Sequence, residues 1–279
     1  MTGIVTRLHP APREEVALQG LYLRQNLHTE QGADRPFIYA NFVTSLDGRI
    51  SIATSPAKKP HLPAVITSEH DLRLLFELQA QAECLVTHGA YLRALAAGRL
   101  GNVLHVGADA RWPDIGDWRR HSGLAEQPDV VIVSSSLEFP LPDELNHCAQ
   151  HKIIVTGAAS DPQRVDAWRE RGFEVMVAGS GARVEGAPLA RVLANAGYRT
   201  VYLLAGPTLL SALIRDGCLS RLYLTITHQL LGGDHFDTLT NGPVLSDRKN
   251  FRLQELYYDA SAPAGAGQWF AQFAPVSGA

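Results

Sequence analysis

Residues 203–217 read Leu-Leu-Ala-Gly-Pro-Thr-Leu-Leu-Ser-Ala-Leu-Ile-Arg-Asp-Gly. An apolar stretch over 201–204 has the character of a buried strand. Gly206-Pro207-Thr208 then breaks it, and Leu209, Leu210, Leu213 and Ile214 continue at helical spacing until Gly217. Proline suits the first helical turn and glycine suits its stop. A strand passing through glycine straight into a helix is the unit from which parallel sheets are built. The junction also has a chemical use. The first amides of a helix lack internal partners and the helix dipole favours negative charge there, so Gly206 would let a phosphate approach the backbone while Thr208 adds a hydroxyl. Gly-Pro-Thr is equally a plain helix start, and the motif alone does not separate the two readings.

The same grammar extends in both directions. Short Val/Ile-rich runs at 84–87, 130–133, 153–155 and 173–177 read as strands, the middle two buried on both faces. Helices are predicted over 91–97, 162–171 and 188–196 between them. Upstream, Phe-Ile-Tyr-Ala-Asn-Phe-Val at 37–43 is a strand ending in the turn Ser45-Leu46-Asp47-Gly48. Ser68 caps a further helix, with Asp71 three residues on and Leu72, Leu75 and Phe76 following. Strands alternating with helices imply a mostly parallel sheet covered on both faces. Runs at 222–226, 251–258 and 268–273 have no helices between them and are predicted to add antiparallel strands at one edge. Residues 1–34 are read as an N-terminal extension, with an amphipathic helix over 14–25. Residues 98–127 are the most loop-like stretch.

Composition narrows the function. The chain has 279 residues, 46% hydrophobic and 19% charged, with a formal charge of −3. That balance excludes disorder and coiled coil and argues against nucleic acid or an anionic membrane as partner. No apolar run approaches the ~18 residues of a membrane span and no secretory leader is visible. The three cysteines, Cys84, Cys148 and Cys218, are far apart, so a reduced cytoplasmic chain is the simple reading. No metal-ligand spacing, Gly-x-Ser-x-Gly or Gly-x-Gly-x-x-Gly occurs. Asn41, Thr44, Ser45 and Asp47 are polar residues at a strand's C-terminal end, where open α/β sheets bind ligands; a locally bonded turn accounts for them as well. His88, Ser134–Ser136 and Thr156-Gly157 fall at matching strand ends.

Taken in order, Arg35-Pro36, SLDGRIS at 45–51, Ile66-Thr67-Ser68, the segment 85–91, VIVSS at 131–135, LLAGPTLLSALIRDG at 203–217 and LYLTITHQLLGG at 222–233 are similar to the reductase domain of riboflavin biosynthesis, over residues 35–275. The resemblance implies an α/β, dihydrofolate reductase-like domain over 35–279. It also implies an NADPH-dependent oxidoreductase resembling 5-amino-6-(5-phosphoribosylamino)uracil reductase, which passes hydride to the ribosyl C1′ of a ribosylamino-pyrimidine. On that basis Val43, Thr44, Val65, Thr67, Tyr91, Ser134, Gly206, Pro207, Thr208 and Leu209 would contact NADPH. Asn41, Ser45, Asp47, Gln79 and Leu204 would face a small pyrimidine-type substrate, with Asp47 the one carboxylate near the reacting end. A homodimer and no metal are further implied, and 34 N-terminal residues are too few for the deaminase often fused to this domain. The chain also departs from the family. Leu204 stands for a glutamate, Gln79 for an arginine, and Tyr91 and Leu95 for threonine and aspartate; the Asp-Pro-x-Leu-Thr-x-Arg segment has no counterpart in 98–120. These departures admit two alternatives: a reductase of this fold with an unphosphorylated substrate, or a non-catalytic ligand-binding paralogue.

Overall fold

The computed structural model describes residues 3–30, 35–53, 55, 60–146, 150–245, 249–261 and 263–276; Cys148 lies outside them. In chain order the strands are β1 (Ile4–His9), β2 (Glu14–Ala17), β3 (Phe37–Thr44), β4 (Ser51–Ile52), β5 (Cys84–His88), β6 (Asp129–Val133), β7 (Lys152–Thr156), β8 (Glu174–Val177), β9 (Thr200–Leu203), β10 (Arg221–Thr227), β11 (Phe236–Asp237), β12 (Phe251–Asp259) and β13 (Gln268–Pro275). The helices are α1 (Glu69–Gln79), α2 (Gly89–Ala96), α3 (Pro113–His121), α4 (Asp143–Asn146), α5 (Pro162–Glu170), α6 (Gly186–Asn195) and α7 (Pro207–Arg215).

Eleven strands form one sheet in the order β2, β1, β12, β13, β10, β3, β9, β5, β6, β7, β8. From β10 to β8 every pairing is parallel, and β13, β12, β1 and β2 extend the β10 side with antiparallel pairings. Residues alternate between faces along each strand. Tyr39, Leu85, Ile132, Ile154, Tyr202 and Tyr223 pack with Leu74 and Leu78 of α1 and Trp168 of α5 on one face. Ile38, Val86, Val131, Val155 and Leu203 pack with α6 and α7 on the other. The mostly parallel sheet with helices on both faces is the expected architecture, and Ser68 does cap α1 by accepting the Asp71 N–H at 3.0 Å.

Three expectations need correction. Residues 14–25 are not a helix: 14–17 pair with β1, and only a 3₁₀ turn forms at Leu23–Gln25. The short strand is recruited by β1, whose own partner β12 lies more than 240 residues downstream, so no local pattern announces it. Leu18, Leu21, Tyr22 and Leu27 then lie in the α1-side core. The 98–127 stretch contains α3, with Pro113 in its first turn and Ile115 packed against Phe76 and Trp112. Finally, β4 and β11 pair as a separate two-stranded ribbon that the sequence reading does not contain.

Candidate active site

The parallel strands all end at one edge of the sheet, so the segments after β3, β5, β6, β7, β9 and β10 gather there. The β3–β9 register pairs Ala40 with Leu203, and the β5–β9 register pairs Val86 with Leu203. One step further on, Asn41, Leu204 and Thr87 form a row on the α1 face. Asn41, Val43 and Leu204 keep part of their surface exposed, which makes this row the floor of a crevice.

The wall on the α7 side is backbone. Gly206 is the N-cap of α7, no side chain caps that end, and Thr208 is exposed. A methyl group added to Gly206 would meet nothing nearer than His88 Nε2 at 3.8 Å. His88 caps α2, its Nδ1 accepting the Tyr91 N–H at 3.1 Å. In the neutral ring the proton therefore sits on Nε2, the nitrogen beside Gly206. Burial, helped by the Arg93 charge, lowers the His88 pKa. A Cβ on Gly89 would lie 3.2 Å from Ser134 Oγ and 3.5 Å from Arg93 Nη1. Two helix N-termini, an imidazole N–H and a hydroxyl thus come together, a donor-rich place for an anion, with the Arg93 guanidinium close by and bonded to the Glu138 carbonyl.

Ser45 to Arg49 form the turn beyond β3, with Gly48 at φ +81°. Asp47 ties this turn to the segment after β10. It accepts from Ser45 Oγ, from Arg49 Nη1 at 2.7 Å, and from the N–H groups of Leu231 and Gly232 at 3.3 and 2.9 Å. Partial burial pushes its pKa up, but the Ser45 hydroxyl, the two amides and the Arg49 charge outweigh that and hold it at about 2. An ionised carboxylate has no proton to give at neutral pH. Arg49 in turn stacks on Phe236 of β11, 4.2 Å from the ring centre, and Thr44 Oγ1 bonds the Ser45 carbonyl.

The remaining residues singled out from sequence fall in different places. Val65 and Thr67 are exposed just before α1. Ser134 Oγ accepts the Leu137 N–H at 3.0 Å. Tyr91 is buried, and its hydroxyl donates to the Gly101 carbonyl and accepts the Val103 N–H, both at 2.9 Å. It staples the 98–104 segment to α2, so its hydroxyl is not free for a ligand. Gln79 sits in the last turn of α1, eight residues along the helix from Asp71, fully buried with neither amide atom partnered among the described residues. Arginines on the long segment do not replace the one absent at 79. Arg119 is buried and gives its donors to the Ala80, Ala82 and Ala125 carbonyls, while Arg111 and Arg120 pair with Asp109 and Asp117. Arg93 lies beside Gly89, with its Nη1 donating to the Glu138 carbonyl.

Sequence reasoning missed Asp71. Read as part of a helix start, it uses only its backbone N–H there; its carboxylate turns inward and accepts from Thr225 Oγ1 on β10 at 2.6 Å. The signal was present, since Asp71 shares the helix face of Leu74 and Leu78, which face the core. It also missed the tie between α1 and the β12–β13 hairpin: buried Asp259 binds His70 Nδ1 at 2.7 Å and Gln268 Nε2 at 2.9 Å, and Gln268 reaches Ser68 at 2.9 Å. Among the described residues no group of His, Cys, Asp and Glu is placed to hold a metal ion.

The model of the RibD C-terminal domain family matches residues 36–261, most of the chain. The 2,5-diamino-6-ribosylamino-4(3H)-pyrimidinone 5′-phosphate reductase of Methanothermobacter thermautotrophicus is 26% identical over 208 residues, covering 75% of this chain and 85% of the relative. Its namesake from Archaeoglobus fulgidus is 24% identical over 227 residues, covering 80% and 93%. Among solved structures, a pyrimidine reductase-like protein from Corynebacterium diphtheriae superposes with a TM-score of 0.63 at 21% identity, covering 88% of this chain and 94% of that one. Its likeness shows the fold, an α/β sheet with helices on both faces. With the family match spanning the strands that build the crevice, the chain belongs to the RibD C-terminal domain family, the riboflavin-pathway pyrimidine reductases.

Proposed function

We propose that the protein is an NADPH-dependent reductase of a ribosylamino-pyrimidine. The observation that carries this reading is the uncapped N-terminus of α7 at Gly206, opening on the same crevice as the exposed end of β3, in a chain of this family. The residues present fit a dinucleotide phosphate: Gly206 leaves the backbone open, and His88 Nε2 and Thr208 add donors. NADPH, when bound, supplies the hydride that reduces C1′ of the opened sugar. The chain's own part is alignment. Gly206 to Leu209 and Ser134 hold phosphate, Val43 and Thr44 form the strand end against which the reacting rings lie, and Asn41 and Leu204 floor the substrate side.

Asp47 acts as a positioning residue. Its four hydrogen bonds fix the 45–49 turn against residues 231–232, so the side of the crevice beyond β3 is formed before ligand arrives. With Tyr91 committed to the 98–104 segment, cofactor contact at α2 falls to the helix backbone.

A second reading is favoured by the arginines: Gln79 stands in place of an arginine, and among the described residues Arg119 and Arg93 give donors to backbone carbonyls instead of offering a free fork that would meet a phosphate dianion bidentately. The substrate of this reading is unphosphorylated. Titration with NADPH and NADH followed by fluorescence, then turnover with the phosphorylated and dephosphorylated aminopyrimidines, separates the readings. Micromolar NADPH affinity with turnover supports a reductase and the preferred compound decides the phosphate question; absence of nucleotide binding refutes both.

The chain is further proposed to act as a homodimer. On the α6/α7 side of the sheet, Phe42, Leu224, Ile226, Leu253, Trp269 and Phe273 of β3, β10, β12 and β13 are partly exposed, a stretch of apolar surface suited to a second copy. No helix of the described residues is long and apolar enough to cross a membrane.

A further inference from the structure

His88 ends β5 and caps α2. Its Nδ1 accepts the Tyr91 N–H at 3.1 Å, so the lone pair that a second proton would need is already engaged. In the neutral ring the hydrogen is then on Nε2. No hydrogen bond occupies Nε2 among the described residues, and the atom lies 3.8 Å from where a Cβ on Gly206 would stand, at the N-terminus of α7. One nitrogen is fixed by the fold and the other is left for a ligand.

The surroundings oppose an imidazolium. His88 sits at the N-terminus of α2 and beside that of α7, where helix dipoles disfavour a cation. On α2, Arg93 Nη1 is 3.5 Å from where a Cβ on the next residue, Gly89, would lie. Residues 203–208 of the β9–α7 junction carry no ionisable side chain. After β6, Ser134 is neutral, and the Glu138 carboxylate is paired with Arg164 at 2.5 Å. Burial and the Arg93 charge both push the His88 pKa below its ordinary 6.5.

We infer that His88 serves the dinucleotide phosphate as a neutral imidazole, its tautomer locked by the α2 cap, so that protonating this residue weakens cofactor binding. This rests on the reductase reading and adds a regulation to its cofactor site. The sign is the reverse of the usual attraction between imidazolium and phosphate. A second proton would turn Nδ1 into a donor facing the Tyr91 N–H. The ring then leaves the cap and takes Nε2 from its place beside Gly206, and α2 loses the bond that closes its first turn. Tyr91 passes the change on, because its hydroxyl holds the Gly101 carbonyl and the Val103 N–H. An imidazole kept neutral at a helix N-terminus remains a hydrogen-bond donor of constant charge. A ligand that binds only the neutral ring expels the proton. Above 6.5 there is none to expel and affinity is level. Below it, binding releases up to one proton, and affinity falls by up to about tenfold per pH unit.

The test titrates the protein calorimetrically with NADP+, which is stable in acid, between about pH 5 and 8.5. Each titration is run in two buffers of different ionisation heat, so that protons are counted together with affinity. The 2′-phosphate of the ligand itself titrates near pH ~6. His88→Asn measures that contribution alone, since asparagine is a good N-cap and has no titratable ring. At about pH 7.5 the wild type should exchange no more protons than the variant, and at about pH 5 it should release more. The variant, lacking the Nε2 donor, should bind about tenfold more weakly at about pH 7.5, and the gap should narrow toward about pH 5. Proton uptake by the wild type, or a gap that widens toward acid, overturns the inference, because an imidazolium then meets the phosphate. Equal proton counts in the two proteins at every pH also overturn it. In either of those outcomes NADP+ still binds, and the reductase reading stands. Absence of binding of both NADP+ and NADPH at every pH overturns the two together.

Discussion

A carboxylate buried in the interior should weaken the fold, and Asp71→Asn measures by how much. Its pKa rises from 3.8 to about 6 on folding, chiefly through burial. The folded protein therefore holds the proton more tightly than the unfolded chain. The stability linked to that proton is full below 3.8 and is lost as the pH rises through about 6. A shift of about two pKa units corresponds to about 3 kcal/mol at pH 7.5, and to about half that at pH 5. Asparagine carries no charge and its carbonyl still accepts from Thr225, while its N–H₂ needs an acceptor, a cost of about 1 kcal/mol. The variant should thus be more stable than the wild type at pH 7.5 by about 1–2 kcal/mol, raising Tm by about 5 °C. The gain should be about 1.4 kcal/mol smaller at pH 5. Urea unfolding followed by tryptophan fluorescence at the two pH values, with calorimetry at pH 7.5, supplies the numbers. A variant less stable than the wild type at pH 7.5, or a difference that does not change with pH, would refute the reasoning, because either outcome means that Asp71 is a structural residue satisfied in the free protein.

Other substitutions probe the remaining parts of the account. Gly206→Ala should fold normally, since φ −73° suits any residue and the added methyl lies 3.8 Å from its nearest neighbour, yet NADPH affinity should fall about tenfold or more as the methyl occupies the phosphate's approach; unchanged affinity by fluorescence titration would remove α7 from the cofactor site. Asp259 is held at about 2; burial acts upward, but the hydrogen bonds from His70, Ser261 and Gln268 prevail. The stability it contributes is full above 3.8 and is lost as the pH falls through about 2, so Asp259→Asn should cost about 1–3 kcal/mol at pH 7 and flatten acid unfolding between pH 4 and 2. Asp47→Asn should lower kcat while leaving NADPH affinity within about twofold, because the residue fixes the 45–49 turn and lies away from the α7 wall; equal kcat would end its positioning role. Leu224→Glu, in the apolar face of β10, should convert the dimer to monomer in light scattering, and a wild type that is already monomeric would refute the proposed assembly.

The parts of the fold that could be read from sequence are those whose cause is local. Val130–Val133 and Ile153–Val155 are buried on both faces and so are apolar at every position, and Gly206-Pro207 marks a strand-to-helix junction whatever surrounds it. The N-terminal strands could not be read this way: Glu14 and Glu15 become strand residues only because β1 is already held by β12. In the site, Gly206, Ser45 and Asp47 were visible because turns and helix starts have local chemistry. The helix-start reading of Asp71 holds for its backbone N–H, but the inward carboxylate was not legible because that position three residues after Ser68 has a sufficient local explanation, while its partner Thr225 lies 154 residues away. Tyr91, a departure when read alone, is explained by the carbonyl of Gly101 and the amide of Val103, which its hydroxyl holds.

The central claim is that hydride from NADPH reaches C1′ of a ribosylamino-pyrimidine in this crevice. Incubating the protein with NADPH carrying deuterium at the nicotinamide C4, together with the diamino-pyrimidinone compound, and locating the label by NMR and mass spectrometry tests that claim directly. The expected result is a ribityl product with a single deuterium on C1′. Tight NADPH binding with the pyrimidine recovered unlabelled, or label on the pyrimidine ring instead of the sugar, would contradict it.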